Sequence, residues 1–355
     1  MKLAITADNH LTTRAEHPER FAALENILDQ MIGSGISVLI VAGDLFDAAS
    51  KNYSEFEEVC KRKKYKDIVI LIIPGNHDPA ISRKQIYTPN IQIFSKPEVF
   101  RFQTEGPAFF FLPYVQNKTM GEYIAEKAAD LPKNGWILVA HGDWLDGLQV
   151  VNPYETGSYM PLTRKDVNVF RPMKVFLGHI HAPSSKEPVY YSGSPCGLDI
   201  SETGLRRFLI FDSQTGLVES RRVDSEVIFF DETLTILPVD DEAAYVRKKV
   251  MDIMKMWGID PKDKAKIRLR FKANGFSTDR EQLIHTLEEC FTGCTFCKSD
   301  GPDISGVSTS TDTDRNMLAE VVRQQITAHT WPAGPDEPAA DEILLAALNI
   351  IYGGK

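Results

Sequence analysis

Residues 37–47 read SVLIVAGDLFD, an apolar run that ends in glycine and two carboxylates. Val, Leu and Ile in an unbroken row are typical of a strand that is buried on both faces of a sheet. Comparable runs occupy residues 2–7, 67–73, 108–113, 136–140 and 174–177. Residues 18–32 and 54–62, which lie between the first runs, have the apolar spacing of helices. The sequence therefore predicts a layered α/β domain.

Side chains able to bind metal follow five of these strands. In chain order they are Asp8 and His10, Asp44 and Asp47, Asn76 and His77, His141, and His179 with His181. Because the functional crevice of an α/β sheet lies at the carboxyl ends of its strands, one fold can bring all five segments to a single rim. Imidazole, amide and carboxylate ligands without thiolates favour manganese, zinc or iron over calcium. Two such ions can hold a phosphate and activate water, so we expect phosphoester hydrolysis.

Each of these motifs alone also has a structural explanation. A single histidine after a strand is often a core or surface residue, and Gly-Asp pairs are common in turns. Five such motifs in order, each at the end of a strand, favour a functional site. Asp78, Asp143 and Asp146, which lie beside these motifs, are candidates for carboxylates that support the ligands, although a turn or surface position is favoured for Asp143 and Asp146.

The order of the motifs resembles that of a known family. The series Asp-x-His, Gly-Asp-x-x-Asp, Gly-Asn-His-Asp, His and Gly-His-x-His resembles the calcineurin-like metallophosphoesterase superfamily over roughly the first 200 residues. Within that superfamily, residues 42–47, 177–181 and 191–195 are similar to the SbcD-type nucleases of DNA double-strand-break repair. The resemblance implies an αββα sandwich, a small α+β cap domain and a C-terminal helical tail.

The same resemblance implies roles for individual residues. One metal ion is expected on Asp8, His10 and His181. The other is expected on Asn76, His141 and His179, with Asp44 bridging the two ions, and manganese is the expected metal. His77 would stabilise the transition state or protonate the leaving oxygen, and Asp47 would orient His77.

Composition changes along the chain predict its domain organisation. We expect a nuclease domain at 1–232, a DNA-binding cap domain at 233–298, a linker at 299–314 and a helical tail at 315–355. The cap domain is expected to contain a helix at 241–257, a strand at 264–272 and a helix at 278–290. The linker is predicted because residues 299–314 are rich in Ser, Thr, Asp and Gly.

A run of alternating cations is the main charge pattern of the second domain. Its members are Lys262, Lys264, Lys266, Arg268, Arg270 and Lys272. On a strand these side chains would share one face at steps of about 6.6 Å, close to the spacing of phosphates along a nucleic-acid strand. This pattern predicts DNA binding, and its alternative is the solvated face of an ordinary amphipathic strand.

The apolar tail, residues 341–352, is too short to span a bilayer and needs a surface to bury against. It can pack on its own domain or, as the resemblance implies, dock on a separate SbcC-type, SMC-like ATPase. The chain contains no phosphate-binding Gly-x-x-x-x-Gly-Lys-Ser/Thr loop of its own. Whether the protein forms a homodimer, and whether Cys290, Cys294 and Cys297 bind metal, stays open at this point.

The net charge of −9 opposes a partner as anionic as DNA. However, residues 301–355 carry 8 acidic and 3 basic residues, so more than half of the excess lies in the linker and tail.

The first residues reach Asp8 before a signal peptide could form. The five cysteines are odd in number, which favours reduced thiols over disulfides. Together these features favour a cytoplasmic protein, either of a bacterium or of a phage in its host.

The function that these patterns favour is a two-metal DNA nuclease. By analogy with the family, it would act as an exonuclease at DNA ends and as an endonuclease on single strands or hairpins. A phosphatase or small-molecule phosphodiesterase on the same site is the alternative. A non-catalytic scaffold is disfavoured because the full set of candidate ligands is present.

Overall fold

The computed structural model describes residues 1–48, 53–146, 157–297, 300–310, 312–331 and 337–353. The chain forms two compact units. The first comprises Met1–Leu198 and Leu205–Val227, and the second comprises Asp199–Gly204 and Ile228–Lys355. None of the helices in the described ranges is long and apolar enough to cross a membrane.

The first unit contains two six-stranded sheets. In chain order, its elements are β1 (Lys2–Thr6), α1 (Pro18–Gly33), β2 (Val38–Ala42), α2 (Ser54–Lys61), β3 (Val69–Ile73), β4 (Ile91–Ile93), β5 (Glu98–Phe100), β6 (Ala108–Leu112), α3 (Met120–Lys127), β7 (Trp136–His141), β8 (Trp144–Leu145), β9 (Leu162–Thr163), α4 (Arg164–Phe170), β10 (Lys174–Gly178), β11 (Ser184–Lys186), β12 (Val189–Tyr191), β13 (Arg207–Asp212) and β14 (Val218–Arg222). The strand orders are β14-β13-β1-β2-β3-β4 and β11-β12-β10-β7-β6-β5. Neighbours from β1 to β4 are parallel, as are β6, β7, β10 and β12.

The apolar runs are buried on both faces, as their composition predicts. In β2, Leu39 and Val41 join the core that includes residues of α1 and α2, whereas Ile40 joins the core between the sheets. In β6, Phe111 joins that same inner core and Phe110 faces the opposite side, with residues of α3. Alternate side chains therefore fill three stacked layers of core, and the predicted αββα sandwich is confirmed.

The second unit has a parallel sheet with helices. Its elements are β15 (Ile228–Ile236), α5 (Glu242–Met256), a 3-10 helix (Pro261–Lys266), β16 (Ile267–Ser277), α6 (Arg280–Cys290), β17 (Thr295–Phe296), β18 (Asp303–Thr309), α7 (Thr313–Ala328) and α8 (Ala340–Gly353). The central strand β16 pairs in parallel with β15, β17 and β18.

Part of the expected linker is a strand. Residues 303–309 form β18, which pairs with β16. Val307 is the one buried residue of that strand. Because the other side chains of β18 are exposed or half-buried, its composition lacks apolar alternation and resembles that of a linker.

The expected basic strand begins later than the sequence indicates. Pro261 starts a 3-10 helix, and the Asp260 carboxylate accepts a hydrogen bond of 3.0 Å from the backbone N–H of Lys262. This N-terminal cap favours a helical turn over an extended chain. Consequently, three of the six cations precede β16, and the three that lie on it are Arg268, Arg270 and Lys272.

The last helix packs on its own unit. Leu344 and Leu348 are buried in a cluster that contains Leu237. The Tyr352 ring stacks on Phe276, with the ring centroids 4.1 Å apart. The structure therefore shows the first of the two alternatives for the apolar tail.

Candidate metal centre

The five segments with potential metal ligands meet at the carboxyl ends of their strands. β1, β2 and β3 of the first sheet lead to Asp8, Asp44 and Asn76, and β7 and β10 of the second lead to His141 and His179. Backbone hydrogen bonds connect the loops, from Asp8 N–H to the Gly43 carbonyl at 3.1 Å and from Gly142 N–H to the Gly178 carbonyl at 3.2 Å. The rim predicted from the five strand ends is thus present.

Several residues at this rim have positive backbone φ angles. Asp8, His10, Asp44 and His179 have φ angles of 55°, 46°, 50° and 95°. Such left-handed conformations are uncommon for residues with a side chain, and they cluster at functional sites where the surrounding structure enforces them.

Glycines make the close approach of the ligands feasible. A Cβ atom on Gly43, which has φ of +93°, would lie 2.1 Å from His141 Nδ1. A Cβ atom on Gly75 would lie 2.1 Å from Asp44 Oδ1. The glycines of the motifs at 43–47 and 75–78 are therefore required by the packing of the site itself.

Asp44 lies between two groups of potential ligands. On one side, Asp44 Oδ2 lies 3.7 Å from His10 Nε2, which in turn lies 3.2 Å from His181 Nε2. On the other side, Asp44 Oδ2 lies 3.2 Å from His141 Nε2, and Asn76 Oδ1 lies 2.8 Å from the same nitrogen. Four side chains thus converge around the Asp44 carboxylate.

The remaining two candidate ligands complete these groups. Asp8 belongs to a cluster with His10 and His181 whose ligand atoms all lie within 4.8 Å of one another. His179 Nδ1 lies 3.2 Å from Asn76 Oδ1. The structure therefore brings together all seven residues for which metal binding is predicted.

The buried polar groups fit divalent cations. Asp8 is fully buried, and its Oδ2 makes no hydrogen bond to any of the described residues. A buried carboxylate oxygen without a partner is costly unless a cation compensates it. The carboxylates and imidazoles are the oxygen and nitrogen ligands that manganese, zinc and iron accept, so the residues fit the predicted ions.

The electrostatics of the site follow from burial and from Asp44. Burial raises the pKa of Asp8 to about 6 and lowers the pKa of His10 to about 4. Burial disfavours the charged forms of both Asp44 and His141. The His141 imidazole nevertheless holds the pKa of Asp44 well below its usual range. Asp44 in turn raises the pKa of His141 to about 9. Asp44 is therefore ionised throughout the neutral range.

His77 and Asp47 lie beside these groups. The His77 backbone N–H donates to Asp44 Oδ1 at 2.9 Å, and the His77 ring lies edge-on to that of His10, with centroids 4.6 Å apart. His77 also forms a group with His10 and Asp44 that could hold a metal ion, so the geometry admits it as a ligand as well. Asp47 Oδ2 lies 3.9 Å from His10 Nδ1. The catalytic roles expected for His77 and Asp47 stay predictions.

Three residues outside the predicted ligand set support the site, and of these the sequence analysis missed Arg20. Arg20 of α1 is buried, and its Nη1 donates to the His10 carbonyl at 2.6 Å. Asp78 accepts hydrogen bonds from the backbone N–H groups of Gly75 at 2.7 Å and Phe46 at 3.1 Å. Asp143, which was expected at the surface or in a turn, is buried with its Oδ1 3.5 Å from His179 Nε2. The one available signal was the proximity of the two aspartates to the motifs.

The six predicted DNA-binding cations lie in the second unit, and three of them have carboxylate partners among the described residues. Arg270 Nε donates to Asp231 Oδ1 at 2.8 Å. Lys262 Nζ lies 3.2 Å from an Asp260 oxygen, and Lys266 Nζ lies 3.2 Å from an Asp263 oxygen. The other three are Lys264, Arg268 and Lys272.

Cys290, Cys294 and Cys297 form no disulfide with any described residue, and neither do Cys60 and Cys196. Among the described residues, every group of three or more closely spaced metal-binding side chains lies at the rim of the first unit. The cysteine cluster is therefore not among the candidate metal sites of the described chain.

The fold and the site define a metallophosphoesterase. Residues 1–214 match the family model of the calcineurin-like phosphoesterases, and the chain belongs to this family.

Two curated relatives share part of the chain. The chain is 26% identical over 215 residues to the uncharacterized metallophosphoesterase YhaO of Bacillus subtilis, covering 55% of this chain and 50% of that protein. It is 22% identical over 152 residues to a probable cyclic nucleotide phosphodiesterase of Fibrobacter succinogenes, covering 41% of this chain and 58% of that protein. The matches thus span half the length of the first relative and 58% of the second.

A solved structure, described as that of a novel archaeal phosphodiesterase, also matches. It covers 62% of this chain and 99% of its own, with a TM-score of 0.34 and 12% sequence identity.

Proposed function

We propose that this protein is a two-metal phosphodiesterase that cleaves DNA. The observation that supports the two-metal proposal is the position of Asp44 between His10 on one side and His141 on the other, at 3.7 and 3.2 Å from the same carboxylate oxygen. A carboxylate shared in this way is suited to bridging two ions, each with further ligands of its own.

In this proposal, Asp8, His10 and His181 hold one ion and Asn76, His141 and His179 hold the other. When bound, two such ions hold a phosphate, lower the pKa of water and stabilise a leaving oxygen. Manganese is the metal that we propose, since the ligand set accepts it and the resemblance to SbcD-type nucleases implies it.

The chain itself holds the ligands in place. The His179 backbone N–H donates to Asp8 Oδ1 at 2.8 Å, which fixes the carboxylate of Asp8. His141 Nδ1 lies 2.9 Å from the Ala42 carbonyl, which orients its ring so that Nε2 faces Asp44. Such outer contacts fix ring orientation and tune ligand basicity.

His77 is proposed as the acid of the reaction. It is half-buried at the rim, beside His10, where its imidazole can contact a substrate. In this role the ring donates a proton to the oxygen that leaves phosphorus. General acid catalysis of this kind typically raises the reaction rate 10²–10⁴-fold. Asp47, close to His10 and Arg20, would help to position this part of the rim.

Two features support DNA as the substrate. The resemblance of residues 42–47, 177–181 and 191–195 to SbcD-type nucleases extends beyond the metal motifs. In addition, Arg268, Arg270 and Lys272 alternate along β16 with buried Leu269 and Phe271, so the three cations share one face of the strand. Phosphates of a DNA strand would lie along this face.

A small-molecule phosphodiesterase is the second candidate. The ion pairs of Lys262, Lys266 and Arg270 with neighbouring aspartates reduce the positive charge available to DNA. The similarity to a probable cyclic nucleotide phosphodiesterase also favours a small substrate.

One assay separates these functions. The purified chain with manganese is incubated with end-labelled duplex, hairpin DNA, a cyclic nucleotide and a chromogenic phosphodiester. His77→Ala is the test variant, and His285→Ala, whose side chain is 72% exposed in the second unit, is the control. Cleavage of DNA that His77→Ala loses and His285→Ala keeps supports the proposal. Hydrolysis of the small esters without DNA cleavage overturns the DNA substrate, and no hydrolysis of any substrate favours a scaffold.

An SbcC-type ATPase is the partner that we propose from the resemblance. Since α8 is buried partly on its own unit, the surface for this partner would be the outer side of α7, where Met317, Leu318 and Val321 are 64%, 51% and 54% exposed. Met317→Asp should weaken co-purification with the ATPase of the same genome. Unchanged association after combined Met317→Asp and Val321→Asp substitution would refute this surface.

A further inference from the structure

The second unit contains a cavity that none of the proposed activities uses. Its volume is about 440 Å³, which lies within the range of small-molecule sites. It is formed by residues from α5, the turn after it, the 3-10 helix, the start of β16 and the end of α6. Its lining includes Arg247, Met251, Met254, Trp257, Lys264 and Glu289.

The interior of the cavity is apolar. Val250, Trp257 and Ile267 are buried, and Trp257 stacks on Phe230 with ring centroids 4.3 Å apart. Met251 is 56% exposed at the margin. Methionines adapt their shape to an apolar ligand more readily than branched side chains do.

Charge at the margin is asymmetric. Arg247 is neutralised by Glu289, with Nη2 and Oε2 2.9 Å apart, and Lys255 lies 3.7 Å from Asp252. Among the described residues, Lys264 has no carboxylate within ion-pair distance. The Lys264 ammonium group is thus able to pair with an anion bound in the apolar cavity.

We propose that this cavity binds an organic anion with an apolar body, whose anionic group pairs with Lys264. A nucleobase fits less well, because most of the lining is apolar and the polar side chains of Arg247 and Glu289 are already engaged with each other in an ion pair. A polar edge buried without partners would lose affinity. The ligand class is therefore an alkyl or aryl carboxylate, sulfonate or phosphate.

The test uses the full chain and the fluorescent aryl sulfonate anilinonaphthalene sulfonate. We expect saturable binding of one probe per chain. Met254→Trp, which fills the cavity, should abolish binding, and Lys264→Gln should weaken it by about three- to fivefold, since the pair is partly exposed. Lys248→Gln is the matched control, because Lys248 is an exposed lysine of α5 outside the lining.

Competition then identifies the ligand class. Decanoate should displace the probe at a lower concentration than deoxyadenosine monophosphate does. Three outcomes would overturn the proposal: binding that does not saturate, equal binding by wild type and Lys264→Gln, or stronger displacement by the nucleotide. Lys264→Gln keeps the test valid if Met254→Trp fails to fold, since removal of a half-exposed amine does not alter the core.

Discussion

Arg20 donates a hydrogen bond from Nη1 to the backbone carbonyl of His10, at 2.6 Å, and the same nitrogen lies 3.6 Å from Asp47 Oδ2. His10 has a left-handed backbone, with φ of 46°. A buried guanidinium thus connects helix α1 to a candidate metal ligand whose backbone conformation needs support.

This contact predicts the effect of Arg20→Gln. We expect manganese affinity and kcat to fall by about 10- to 100-fold, as is typical when an outer contact of a ligand is lost, while KM changes little. Arg20→Lys should recover part of the loss. Titration calorimetry with manganese and steady-state kinetics measure both quantities. Arg14→Gln, at a surface arginine of the same region, is the control, and an equal effect of both substitutions contradicts this role.

The second prediction concerns the glycine beside His141. Gly43→Ala should destabilise the fold and abolish manganese binding, because the new Cβ would lie 2.1 Å from His141 Nδ1. Gly35→Ala is the matched control, since Gly35 also has a positive φ, +66°, but no atom of the described residues lies within 4 Å of its Cβ position. We expect Gly35→Ala to cost about 1 kcal/mol of unfolding free energy and Gly43→Ala at least twice that. Similar losses in urea unfolding would contradict the steric argument.

The third prediction concerns thiol reactivity. Burial raises the pKa of the Cys60 thiol to about 12, and Cys196 is also buried. Because the thiolate is the reactive form, Cys60 should resist Ellman's reagent from pH 7 to 9 in the folded chain. Cys290, Cys294 and Cys297, which are half-buried, should react first. Full reaction of all five thiols before unfolding would contradict the packing of β2, α1 and α2 around Cys60.

The fourth prediction concerns DNA binding. Combined Arg268→Gln and Lys272→Gln should reduce the slope of log affinity against log salt by about 1.5, the effect of two lost phosphate contacts. Hydrolysis of a chromogenic phosphodiester should be unchanged. The control is combined Lys248→Gln and Lys249→Gln, which removes two exposed cations of α5. Equal slopes for both double variants would contradict the proposal that DNA phosphates bind along β16.

The sequence predicts the candidate metal rim well because each ligand follows an apolar strand that is buried on both faces, and parallel neighbours align their carboxyl ends. It does not predict Arg20, because that arginine lies at the start of an amphipathic helix and its partners come from loops after β1 and β2. It also does not predict β18, whose single buried residue, Val307, gives no strand pattern. In both cases the missing information is a contact between distant segments.

The stoichiometry of manganese binding tests the central claim most directly. Equilibrium dialysis of the wild-type chain should give close to two ions per chain. Asp44→Ala, which removes the shared carboxylate, should give less than one, and His285→Ala should keep two. A wild-type chain that binds one ion or none, or an Asp44→Ala chain that still binds two, would contradict the two-metal account.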